Sequence, residues 1–122
     1  MISNAITFLI ALAGLINALP VIGMVSGRRI ERLYAVEIKG PDLAILMRHR
    51  AVLFGLLGGF MIYAAFNPAL WLAACVIGLV SMASFIMLAW MTGGYNAALR
   101  KVVWIDIAGI IPVLVALALM AI

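Results

Sequence analysis

The hydrophobic pattern of the chain consists of long uncharged stretches separated by short polar connections. Uncharged runs cover residues 1–27, 51–69, 70–99 and 102–122, and the last of these is interrupted only by Asp106. A helix needs about 20 apolar residues to cross a bilayer, and the dipeptide Asn67-Pro68 is typical of a turn that ends one helix and starts another. The pattern therefore predicts four transmembrane helices at about 4–25, 41–66, 69–91 and 101–121.

The connection between the first two predicted helices is a polar segment with its own periodicity. At 100° per residue its apolar residues share one face and its basic residues lie opposite, namely Ile30, Leu33, Tyr34 and Ile38 against Arg28, Arg32 and Lys39. This pattern predicts an amphipathic helix at about 28–39 that lies in the membrane interface. The predicted fold is thus all-α: an integral membrane four-helix bundle, forming a single transmembrane domain over 1–122, with an interfacial segment between helices one and two.

Composition supports the membrane class and excludes several kinds of chemistry. Hydrophobic residues make up 69% of the 122 residues and charged residues 10%, with a mean hydropathy of +1.33, which excludes a soluble domain. Cys75 is the single cysteine, so an internal disulfide and a Cys-x-x-Cys redox pair are both excluded. The residues indicate no metal site and no cofactor, because one His and one Cys have no acidic residue beside them at ligand spacing.

The distribution of basic residues predicts the orientation. Lys and Arg occur in the first and third connections, whereas the second connection and both termini have none. Because cytoplasmic loops retain Lys and Arg, we expect an inner (plasma) membrane protein with both termini on the outer, periplasmic side. The net charge of +4 is then directed at anionic lipid, so membrane lipids are the predicted partners and nucleic-acid binding is not supported.

A basic triplet marks the candidate functional region. Arg48, His49 and Arg50 directly precede the uncharged stretch 51–66, which as a helix spans roughly 24 Å, less than the hydrocarbon core of about 30 Å. The triplet should therefore be drawn into the membrane boundary, where an ionisable group is by default a functional-site hypothesis. Asp106, about 7 to 8 Å into helix four, is the expected counter-charge of Arg50.

We therefore predict a polar cluster in the cytoplasmic half of the bundle. Its members are Asn17, Arg48, His49, Arg50 and Asp106, with Tyr95 and Asn96 from the third connection as lids. The alternative is that these groups satisfy one another and fix the register of the bundle, as polar pairs between membrane helices often do. For His49 the alternative is a boundary residue whose side chain extends to the headgroups.

Small residues predict where the helices contact each other. Gly55 and Gly59 form a Gly-x-x-x-Gly spacing on helix two, and a mostly small face of helix three carries Ala74, Gly78, Ser81 and Phe85. These faces could serve contacts within one bundle or between bundles. A homo-oligomer and a complex with another membrane protein are therefore both open.

One part of the sequence resembles known four-helix membrane proteins. The stretch from Leu33-Tyr34 through Pro41-Asp42-Leu43 to Arg50 and Phe54-Gly55 resembles the four-helix scaffold proteins of sterol biosynthesis, in which a Pro-x-Leu precedes an Arg that opens the second membrane helix. The layout is also similar to DoxX-like bacterial membrane proteins. The resemblance implies a non-catalytic membrane adaptor.

Three functions are consistent with these patterns. The leading one is a structural, accessory or scaffold subunit of the inner membrane, without catalytic residues. The second is a membrane protein that binds a lipid, a quinone or another apolar ligand in a cytoplasmic-half pocket near His49, Arg50 and Asp106. The third is a small proton-coupled transporter, since one Asp and one His are enough to carry a proton.

Overall fold

The computed structural model describes residues 1–19 and 40–122, and the described part is four helices without strands. The four helices are α1 (Ile2–Ala18), α2 (Gly40–Ala65), α3 (Trp71–Thr92) and α4 (Ala97–Met120), with a 3-10 turn at Pro68–Leu70 before α3. The predicted all-α class is confirmed. The predicted interfacial segment at 28–39 and the predicted continuation of helix one to residue 25 lie outside the described residues.

Three of these helices are long and apolar enough to cross a membrane, namely Gly40–Ala65, Pro68–Thr92 (which includes the 3-10 turn) and Ala97–Met120. The described part of α1 is equally apolar in character but covers only 17 residues. Length and composition thus identify the chain as a membrane protein, because such helices satisfy their own backbone groups and present apolar side chains to lipid.

Local sequence signals set the start of α2. Gly40 has a positive φ of 77°, which glycine adopts without steric cost, and Pro41 and Asp42 follow in the first turn. Proline fits the first helical turn because its missing N–H has no intrahelical acceptor there, and a carboxylate suits the positive end of the helix dipole. The helix therefore begins one residue before the predicted position, and Arg48 to Arg50 lie within it.

The turn between α2 and α3 is held by side chains that bond to the end of α2. The Asn67 side-chain amide donates to the carbonyl oxygen of Tyr63 at 3.1 Å. The indole Nε1 of Trp71 donates to the carbonyl oxygen of Ala65 at 3.0 Å. The carbonyl oxygen of Tyr63 also accepts from the backbone N–H of Phe66 at 3.2 Å, so the Asn67 bond is its second, whereas the Trp71 bond supplies a donor to a carbonyl at the end of the helix. The predicted turn at Asn67-Pro68 is present.

Helix α4 begins four residues earlier than predicted. The prediction treated Arg100 and Lys101 as a connection, whereas the helix starts at Ala97. Asn96 is its N-cap, and the Asn96 side-chain oxygen accepts a hydrogen bond of 2.8 Å from the backbone N–H of Leu99. The two basic residues therefore lie in the first turns of a membrane helix rather than in a loop.

The helices form a square in which α1 is beside α2 and α4, and α3 lies between α4 and α2. The contact of α1 with α2 is the most extensive, and that of α2 with α3 is the weakest of the four sides. One end of the bundle holds the start of α1, the α2–α3 turn and the end of α4, since Ile2, Trp71 and Met120 line one surface groove there. The helices therefore run alternately up and down.

The core is packed closely along the bundle axis. Its largest fully buried side chains are Ile10, Met61, Cys75, Met82 and Val113. A Cβ added to Gly78 would lie 2.5 Å from the terminal carbon of Met61, and one added to Gly109 would lie 2.6 Å from the sulfur of Met82. An alanine at either position would therefore require the flexible end of a methionine to move where it crosses a neighbouring helix.

The closest helix contact is backbone against backbone between α1 and α2. A Cβ added to Gly58 would lie 2.5 Å from the carbonyl oxygen of Gly14 and 2.6 Å from the Cβ of Ala18. Gly58 is therefore the contact residue, whereas Gly59 is exposed and a Cβ there would meet no atom of the described residues within 4 Å. Gly59 is turned about 100° from Gly58 toward the outside, so of the two uses expected for the Gly55-x-x-x-Gly59 face, a contact between bundles stays a prediction.

Candidate functional site

Arg50 lies half-buried between two aromatic rings. The central carbon of its guanidinium is 4.6 Å from the ring centroid of Phe54, on the next turn of α2, and 5.7 Å from the ring centroid of Phe85 on α3. A guanidinium within about 6 Å of a ring centroid is attracted by the negative face of the ring. These rings therefore hold the charge of Arg50 against the α2–α3 side of the bundle.

Asp106 interacts with Arg50 across the bundle. The carboxylate is half-buried on α4, and the guanidinium of Arg50 is close enough for an attractive electrostatic interaction. A charge at membrane depth is costly, and an opposite charge nearby reduces that cost. The structure thus places Arg50 within electrostatic range of Asp106, and direct pairing of the two stays a prediction.

Arg50, Phe54, Phe85 and Asp106 form what we call the Arg50 cluster. Asn17 lies deeper in the bundle than this cluster and bonds to different partners. The Asn17 side chain is buried, and its Nδ2 donates to the carbonyl oxygen of Ala13 at 2.9 Å. Its Oδ1 accepts a 3.3 Å hydrogen bond from the hydroxyl of Ser81 on α3. Because Ser81 precedes Phe85 by one helical turn, Asn17 is about 6 Å deeper in the bundle than the ring that contacts Arg50.

The Ser81 hydroxyl was not expected to be part of the polar cluster. The sequence pattern assigned Ser81 to a small, helix-contacting face of α3, and Ala74 and Gly78 on that face are indeed buried. The hydroxyl of Ser84 donates to the carbonyl oxygen of Ser81 at 3.0 Å and adds a polar contact at the same level. A serine on the helix-contacting face opposite a buried asparagine could have indicated this hydrogen bond.

Arg48 and His49 lie on a different side of α2 from the Arg50 cluster. Both side chains are exposed, and both line an open groove of about 450 Å³ together with Pro41, Ala44 and Val52. The successive residues of a helix point about 100° apart, so Arg50 and its two neighbours cannot share one face. The predicted cluster is therefore divided, with Arg48 and His49 outside it.

The predicted lids occupy the start of α4. Asn96 uses its side-chain oxygen to cap that helix, and Tyr95 is half-buried in the connection before it. The connection also contains Gly93 and Gly94, both with positive φ values near 70°. Capping of α4 is a sufficient structural reason for an asparagine at position 96, and the sequence-based prediction did not include this capping role.

Among residues 1–19 and 40–122, no three His, Cys, Asp or Glu side chains come together as metal ligands. Cys75 is buried in the core. The chemistry available at the Arg50 cluster is that of one guanidinium, one carboxylate and two rings, which can pair charges, hold an anionic or carbonyl group, or stabilise the bundle.

The fold and this cluster define a helical membrane protein with a charged pair near one end of its bundle. Comparison with protein-family models, with curated proteins and with solved structures finds no match. The resemblance to sterol-biosynthesis scaffold proteins and DoxX-like proteins therefore stays a prediction.

Proposed function

We propose that the chain is a structural or accessory subunit of the inner membrane, with a scaffold role and with both termini on the periplasmic side. The observation that carries this proposal is the bonding of Asn17, the buried polar side chain of the described core. Its donor and its acceptor are both used inside the bundle, by Ala13 and Ser81. Polar side chains used in this way fix the helix register.

The close contact of α1 and α2 supports the same proposal. Gly14 and Gly58 bring the two backbones together so tightly that a single methyl group would not fit. A bundle built on such contacts has little freedom to rock its helices, because packed interiors do not deform continuously. A rigid block that displays lipid-facing helix surfaces suits a subunit that supports a partner protein.

The experiment measures the size of the native complex. We expect a tagged chain, extracted from its own membranes in mild detergent, to migrate on a native gel as one complex of fixed composition with a second membrane protein. Migration of the chain by itself, in detergent and also in native lipid particles, would contradict the proposal.

Two variants locate the surface used by the partner. Gly59→Leu adds a side chain to the open Gly55-x-x-x-Gly59 face of α2, where it meets no atom of the described bundle. We expect this variant to lose the complex while the bundle stays folded. Ala83→Leu places the same leucine side chain at an exposed position of α3 and should keep the complex.

The second candidate function is binding of a quinone, a lipid or another apolar ligand beside the Arg50 cluster. The specific observation in its favour is that Arg50 is half-buried against Phe54 and Phe85, which combines a donor for a carbonyl or anionic group with apolar walls. A ligand that remains bound to the purified protein, and is lost in Arg50→Leu but retained in Arg48→Leu, would favour this function over the first.

A further inference from the structure

The groove on the outer face of α2 combines basic and apolar side chains. Arg48 and His49 line it, and its other described lining residues are Pro41, Ala44, Ile45 and Val52. Ile45 is 65% exposed, so the apolar wall faces the surroundings of the bundle rather than its core. An open volume of about 450 Å³ accommodates a small polar group and part of an attached chain.

The charge distribution determines what kind of group would be attracted there. All charged side chains of the described residues lie at the end of the bundle where α2 and α4 begin, namely Asp42, Arg48, Arg50, Arg100, Lys101 and Asp106. The opposite end has no charged side chain among the described residues. The basic residues outnumber the acidic ones, so this end attracts anions.

The depth of the groove matches the headgroup region. On α3, about 28 Å of helix separates Trp71 from the exposed Trp90, close to the thickness of a hydrocarbon core. Arg50 contacts Phe85, which lies about 7 Å inward of Trp90. Arg48 is two residues nearer than Arg50 to the start of α2, and it therefore lies between that depth and the membrane surface.

We propose that the groove at Arg48 and His49 binds the phosphate of an anionic phospholipid. The guanidinium of Arg48 pairs with the phosphate, the imidazole of His49 adds a hydrogen bond, and Val52, one turn deeper, lies beside the start of the acyl chains. The site is separate from the Arg50 cluster, and it does not depend on the proposed accessory function.

Native mass spectrometry of the purified protein tests this site. The protein is titrated with phosphatidylglycerol and, separately, with phosphatidylcholine. We expect tighter retention of phosphatidylglycerol by the wild type, and an affinity about tenfold lower in Arg48→Gln, because a direct hydrogen bond between charged groups contributes about that factor. Arg48→Lys keeps the charge and should retain most of the binding.

The matched control is Arg100→Gln, which removes one positive charge from an exposed residue at the same end of the bundle but outside the groove. We expect it to bind phosphatidylglycerol as the wild type does. Equal losses in Arg48→Gln and Arg100→Gln would show a general surface attraction and overturn the site. Equal retention of both lipids by the wild type, or unchanged binding in Arg48→Gln, would also overturn it.

Two further measurements complete the test. A large excess of inorganic phosphate should leave phosphatidylglycerol bound, because the acyl chains contribute to binding. Displacement of the lipid would show that free phosphate is the ligand and would overturn the lipid assignment. Circular dichroism of Arg48→Gln and Arg100→Gln should match the wild type. If Arg48→Gln proves unfolded, Arg48→Lys decides, since loss of binding in a folded Arg48→Lys contradicts pairing by charge.

Discussion

The contact between α1 and α2 leads to a sharp prediction for two adjacent glycines. In Gly58→Ala, the new methyl group would lie 2.5 Å from the carbonyl oxygen of Gly14, 2.6 Å from the Cβ of Ala18 and 2.8 Å from the backbone nitrogen of Ala18. Atoms of this kind normally approach to about 3.5 Å. The two helices must therefore separate by about 1 Å along the largest interface in the bundle.

The expected magnitude follows from two opposing effects. Overpacking of a closely packed interior costs about 1 to 3 kcal/mol, whereas alanine stabilises a helix relative to glycine by about 1 kcal/mol. Gly59→Ala is the matched control, because Gly59 is the next residue of α2 and a Cβ there meets nothing within 4 Å. The helix-propensity effect cancels between the two variants, so their difference isolates packing at about 1 to 3 kcal/mol.

The assay is reversible unfolding in mixed micelles at increasing SDS fraction, followed by tryptophan fluorescence. Gly58→Ala should unfold at a lower SDS fraction than the wild type, and Gly59→Ala at the same fraction or a higher one. If the two variants unfold together, α1 and α2 do not cross at Gly58, and the helix arrangement described above is wrong.

Three further predictions use the same unfolding assay or hydrogen exchange. Asn17→Leu should lower the free energy of unfolding by about 0.6 to 1.7 kcal/mol, the range for interhelical hydrogen bonds in membranes. In the Asn17→Leu background, Ser81→Ala should cause no further loss of stability. An additive loss would contradict the hydrogen bond between the two side chains. Arg50→Leu and Asp106→Asn should each destabilise the protein in detergent, and exchanging the two residues should recover part of the loss; no recovery would count against direct pairing. Asn96→Ala removes the N-cap of α4 and should lower the free energy of unfolding by about 0.5 to 2 kcal/mol. Hydrogen exchange at the start of α4 (Leu99) should become faster. Unchanged exchange there would refute the capping role.

The membrane helices were predictable because the bilayer imposes a simple requirement on sequence. A spanning helix must be long and uncharged, so the uncharged stretches after Arg50 and the break at Asn67-Pro68 were enough to place α2 and α3. The start of α4 was less predictable. The charges of Arg100 and Lys101 suggested a loop. The actual start of α4 is set by Asn96, whose side chain accepts a hydrogen bond from the backbone N–H of Leu99.

The side-chain arrangement was only partly predictable from spacing. Arg50 and Asp106 were expected to interact because they are opposite charges at similar depth, and an attractive electrostatic interaction between them is present. Spacing alone could not tell that His49 turns outward with Arg48, since that depends on how α2 is rotated against α1. That rotation is set by the close approach at Gly58, which the Gly55-x-x-x-Gly59 pattern did not identify.

The one-sided charge of the bundle has a consequence for how copies of the chain sit together. Some small membrane proteins insert in both directions, which requires a nearly even balance of Lys and Arg between the two faces of the membrane. Here, within residues 1–19 and 40–122, the end formed by Ile2, Trp71 and Met120 has no charged side chain to oppose Arg48, Arg100 and their neighbours. We therefore expect every copy to insert the same way round, so that a symmetric pair would have its twofold axis perpendicular to the membrane plane.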